Sequence, residues 1–140
     1  MIEWHEKMET GVPSIDAQHR KILEEFNKFS AILSSKSSRG EKMQKAGEVL
    51  DFLRFYAVWH FEKEEDCFHE HDCPGAQANL KAHEKYNEMF NAFYERWQAQ
   101  GMEMDLVEET FTEITDWFVN HIMRVDTKLK PCVMARKPYS

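Results

Sequence analysis

The chain has 140 residues, a formal net charge of −7, 13% aromatic residues and only five glycines and four prolines. That length suits one domain with a real core, and this composition suits a compact helical protein rather than a disordered one. The acidic balance argues against nucleic acid or an anionic membrane as a partner, because both select basic surfaces.

In chain order, MIEWHEKMET lacks the basic start and apolar stretch of a signal peptide. Nowhere does an apolar run reach the roughly 18 residues of a membrane span. Three cysteines are too few, and odd in number, for a secreted disulfide scaffold. A soluble, cytoplasmic protein with no membrane insertion is the expectation. Residues 1–13 read as an irregular arm anchored by Trp4 and ending at Gly11 and Pro13, with Ser14 as a helix cap. From there Ile15, His19, Ile22, Leu23, Phe26, Phe29 and Leu33 recur at helical spacing, predicting a helix over 14–36. SSKSSRG is a loop. A second helix is predicted over 41–70, and Cys73-Pro74-Gly75 breaks it. The third, over 76–100, has a seam of Asn79, His83, Tyr86, Phe90, Phe93 and Trp97 and is closed by Gly101. The fourth, over 103–125, turns Val107, Thr110, Phe111, Ile114, Trp117, Phe118 and His121 inward; a tail follows over 127–140, and its part after Pro131 is too short for a further element. No alternation long enough for a strand occurs. The architecture expected is all-α: a single-domain, up-down-up-down four-helix bundle with an N-terminal arm.

Each helix carries a polar misfit in its apolar seam. His19 lies near the start of the first, and His60 and Glu64, one turn apart, lie near the end of the second. Asn79 and His83 open the third; His121 closes the fourth, with Asp126 just beyond. In an up-down-up-down bundle these positions share one end, within roughly 5 to 15 Å of it. Taken singly, each histidine reads as a hydrogen-bonded core residue, Glu64 as a helix-end charge, and His121 with Asp126 as a surface pair. Together they are four histidines and two acids at one level, with no Lys or Arg in the seams to neutralise them. A metal site explains that convergence. Imidazoles and carboxylates without thiolates suit iron, zinc or manganese, and six such ligands suit two ions bridged by the acids. The Glu-x-x-His pairs of the ferritin-like di-iron bundles are absent. In CFHEHDC, the residues Cys67, His69, His71 and Cys73 could bind zinc or copper, but residues two apart diverge on a helix. Cys67 is therefore expected in the core and His69 and His71 in solvent, with a Cys67/Cys73 redox pair requiring the helix end to fray.

Over residues 4 to about 130, the aromatic arm at Trp4, GVPSIDAQH, HFEKEE, the Pro74 turn and DWFVNHIMRVD resemble, in order and spacing, the hemerythrin family in its single-domain bacterial form. The resemblance implies two non-haem iron ions, oxo- or hydroxo-bridged, that take up O2 reversibly. It implies His19 and His60 on the iron that keeps an open position, Glu64 and Asp126 as the bridging carboxylates, and His83 and His121 on the other iron. That iron's third histidine is replaced by Asn79, whose amide oxygen is a weaker ligand and can leave the place to water, loosening the ion or opening it. Phe118 stands where the family often has a smaller aliphatic residue, so its ring either narrows the O2 pocket or simply packs. Phe61, Trp117, Phe118 and Phe90 form a dry aromatic surround. The expected function is O2 binding for transport, storage or delivery, without catalysis, to an O2-consuming or signalling protein. The alternatives are an O2 or redox sensor, a peroxide or oxidase-type enzyme exploiting Asn79, and a structural zinc or single-iron site.

Overall fold

The computed structural model describes residues 2–99 and 103–135. Four long helices dominate it: α1 (Pro13–Ser34), α2 (Arg39–Glu70), α3 (Ala76–Gln98) and α4 (Met104–Arg124). Each packs on the next, and α4 returns to α1, so the four close into a bundle. No strand occurs among the described residues. The expected closing Gly101 and the chain end beyond 135 lie outside them.

The apolar seams predicted for α1 and α3 are buried throughout. In the half of the bundle away from the polar residues, Phe29 stacks on Phe111 with ring centroids 4.0 Å apart, and Phe26, Phe93 and Trp97 surround that pair. Each fully buried phenylalanine contributes about 1.5–3 kcal/mol of transfer free energy, which sets the helices against one another independently of any ligand. On α4 the prediction needs two adjustments: Thr110 and Trp117 are only half-buried, whereas Thr115 is buried.

The ends differ from expectation for identifiable reasons. Helix α1 starts at Pro13, whose missing N–H costs nothing in a first turn. Ser14 does not cap it; instead Asp16 accepts hydrogen bonds from both the backbone N–H and the hydroxyl of buried Thr10, tying the arm to the helix. The arm is not wholly irregular, because Glu6–Met8 forms a 3-10 turn that buries Met8. Trp4 is half-buried beneath the guanidinium of Arg20. Helix α2 begins two residues before the expected Glu41, because the Ser38 hydroxyl accepts from the Glu41 N–H. Gly75 leads into α3 at φ +95°, a left-handed conformation that a side chain would oppose.

Two larger corrections concern the tail and the cysteines. After α4 the chain forms a 3-10 turn, Asp126–Lys128, and a fifth helix, α5 (Leu129–Ala135), where no further element was expected. Leu129 is fully buried beside Phe68 and Cys73, and Cys73 is disulfide-bonded to Cys132. Cys67 is the unpaired cysteine and is half-buried at the rim of that cluster rather than in the core. His69 is exposed as expected, but half-buried His71 turns back so that its Nδ1 lies 2.9 Å from the Cys67 carbonyl oxygen. None of the four forms a metal cluster with its neighbours among the described residues. The disulfide closes a segment spanning α3 and α4, so Cys132→Ser is expected to lower stability by about 2–4 kcal/mol. Denaturant unfolding with and without reductant measures this: the wild type should drop to the level of the variant when reduced, and the variant should not respond.

Candidate metal centre

All seven polar residues singled out from the sequence meet at one end of the bundle. His19 comes from α1, His60 and Glu64 from α2, Asn79 and His83 from α3, His121 from α4 and Asp126 from the turn after it. None is more than 4% exposed. The two carboxylates straddle the cluster. Glu64 directs Oε2 to His19 Nε2 at 2.9 Å and His60 Nε2 at 3.4 Å, and Oε1 to His83 Nε2 at 2.9 Å and His121 Nε2 at 3.9 Å. Asp126 does the same, with Oδ2 at 3.1 Å from His19 Nε2 and Oδ1 at 2.8 Å from His121 Nε2. Two donor groups result, His19–His60–Glu64 and Glu64–His83–His121–Asp126, sharing Glu64.

The geometry fits a metal better than a set of ion pairs. His19 Nε2, His60 Nε2, His121 Nε2, Glu64 Oε2 and Asp126 Oδ2 are buried with no aligned hydrogen bond, although several lie within ion-pairing distance of one another. Buried donor atoms left without an aligned hydrogen bond would each cost several kcal/mol, roughly, with nothing bound. A cation restores that loss.

Two residues missed in the sequence orient the rings. Gln18 Oε1 lies 2.7 Å from His60 Nδ1, and Glu65 Oε2 lies 2.7 Å from His83 Nδ1. Each accepts the Nδ1 proton, which leaves Nε2 as the basic nitrogen facing the centre. The only trace of them in the sequence is adjacency, Gln18 before His19 and Glu65 after Glu64. Aromatic rings wall the site: Phe61 stacks on His83 at 4.0 Å, Trp117 on His121 at 5.4 Å, and Phe118 meets His19 edge-on at 6.2 Å. Phe90, expected in this wall, packs one layer out, against Tyr86.

The protonation states follow from the same geometry. Burial opposes the charged form of His19, but the Asp126 and Glu64 carboxylates outweigh it and raise its pKa to about 10. His121 is raised to about 9 in the same way, against its burial, chiefly by Asp126. Burial lowers the pKa of His60, only partly opposed by Glu64. Glu64 itself is held well below the usual range, because four imidazoles overcome its burial.

A buried layer of imidazoles and two straddling carboxylates inside an antiparallel helical bundle defines a histidine–carboxylate metal-binding protein. Residues 10–133 match the family described as the Hemerythrin HHE cation binding domain, and the chain belongs to the hemerythrin family. It is 31% identical over 124 residues to a bacteriohemerythrin of Stenotrophomonas maltophilia, covering 87% of this chain and 74% of that protein. It is 29% identical over 126 residues to the bacteriohemerythrin of Methylococcus capsulatus, covering 90% and 91%. A crystal structure of wild-type hemerythrin superposes with a TM-score of 0.81 at 26% identity, over 95% of this chain and 98% of that one.

Because ligating imidazoles bind as neutral bases, a metal must displace the protons that His19 and His121 hold near neutral pH. Adding ferrous or zinc ion to the metal-free protein in weakly buffered solution should release those protons, and uptake should strengthen as pH rises. Loading with no pH change would show that both rings are already neutral.

Proposed function

We propose that this chain is a non-haem di-iron protein that binds O2 reversibly. The observation that carries the reading is the straddling pair: each of Glu64 and Asp126 offers one oxygen to the His19 side and the other to the His121 side. One ion cannot use both oxygens of both acids and all four imidazoles, whereas two adjacent ions can. His19 and His60 would hold one iron, His83 and His121 the other, and Glu64 and Asp126 would bridge them. The iron pair would supply the reversible one-electron change at each ion that O2 capture requires.

The protein's own part is positioning and exclusion. Gln18 and Glu65 hold two of the imidazoles in their ligating tautomer. Phe61, Trp117 and Phe118 line the pocket and keep water and protons away, which favours release of O2 over its reduction. In this reading nothing is turned over, so the protein carries, stores or delivers O2 rather than acting as an enzyme. An O2-consuming protein is the natural recipient. Among the described residues no helix is long and apolar enough to cross a membrane. We place the protein in the cytoplasm, where the Cys73–Cys132 pair would be open to reduction. Asn79 favours a second reading, an oxidase or peroxide-handling site, because it withdraws one imidazole from the centre.

The test is metal content with an optical spectrum, on protein purified without air and then exposed to it. Two irons per chain, with bands that fade when O2 is removed and return with it, are the expected result. One iron, zinc, or bands that form once and never reverse would overturn the O2-binding reading. In stopped-flow mixing, Phe118→Leu should speed O2 association by opening the pocket beside His19, at a stability cost on the order of 1 kcal/mol.

A further inference from the structure

Asn79 sits in the first turn of α3, fully buried, one turn before His83. Its terminal amide has three close neighbours: Glu64 Oε1 at 2.8 Å, Asp126 Oδ1 at 3.0 Å and His83 Nε2 at 3.4 Å. Both oxygens belong to carboxylates. The NH2 faces both carboxylates and donates one N–H to each, a pairing compatible with the same oxygens also binding cations, because each carboxylate oxygen has a second lone pair. An amide nitrogen has no basic lone pair and cannot ligate. The carbonyl oxygen on the same carbon is buried without a donor.

We infer that Asn79 is not a ligand but a clamp on the two shared carboxylates, and that the ion held by His83 and His121 therefore has an open position of its own. Resting on the di-iron reading above, this gives the centre two positions for small exogenous ligands, one on each side, for diatomics or small anions. The donor count supports it. The His19 side has two imidazoles and one oxygen from each of Glu64 and Asp126; the His121 side has the same complement. Neither side reaches the six donors of an octahedral ion from protein groups alone, and iron held by few histidines and a carboxylate keeps room for exogenous ligands. Replacing the clamp by an imidazole would fill the position on the His121 side and leave the other untouched.

Nitric oxide is the probe. Iron content is measured first, then the reduced, iron-loaded protein is titrated with limiting nitric oxide and read by infrared N–O stretching bands and by stoichiometry. The wild type should take up two per di-iron chain, with two resolved bands. Asn79→His should take up one and keep the band of the His19/His60 side. Asn79→Ala, which removes the clamp without adding a ligand, should still take up two. Two irons with a single nitric oxide in the wild type, or unchanged uptake in Asn79→His, would overturn this inference and leave the di-iron reading standing. A wild-type chain that never accepts two irons would overturn both.

Discussion

The whole bundle is arranged around one carboxylate, that of Glu64, fully buried with four imidazoles around it. An isolated charge there would be prohibitively costly, so the helices must deliver compensation at its level to within fractions of an ångström. That requirement sets the register: His60 stands one turn below Glu64 on α2, and α1, α3 and α4 each bring a ring to the same height. The aromatic stacking farther along, centred on Phe29 and Phe111, holds the helices in place without depending on the polar end. The apolar half supplies stability, and the polar half uses that rigidity to hold donor atoms that do not satisfy one another.

The centre is closer to symmetric than its sequence suggests. Each side has two imidazoles and draws on both acids, and each side has one ring oriented from behind, by Gln18 or Glu65. The remaining two rings, His19 and His121, have no partner on Nδ1 and are governed by the carboxylates alone. The carboxylates of Glu64 and Asp126 raise the pKa values of both rings against their burial. Asn79 strengthens the symmetry by tying Glu64 to Asp126 rather than adding a fifth nitrogen.

Asp126 is the one donor that no long helix carries. It sits in a 3-10 turn between α4 and α5, and the chain beyond that turn holds it in place: Leu129 is buried against Phe68, and Cys132 is bonded to Cys73 in the turn before α3. The segment that delivers His60 and Glu64 and the segment that delivers Asp126 are thereby joined just outside the centre. A short tail thus becomes part of the metal site's support.

The helices, their apolar seams and the membership of the polar cluster were legible in the sequence, because helical periodicity is a local property and polar residues interrupting such seams stand out. His19, His60, Glu64, His83, His121 and Asp126 could be placed at one level from rise per residue and alternating direction alone. Other features depended on contacts between residues distant in the chain. Nothing local says that Asp16 rather than Ser14 secures the start of α1, that Gln18 and Glu65 lie behind two rings, or that Cys73 pairs with Cys132 rather than Cys67. The direction in which Asn79 turns its amide was equally beyond the sequence. It is decided by which groups surround it, and those two carboxylates arrive from α2 and from the turn after α4, which only the folded chain brings together.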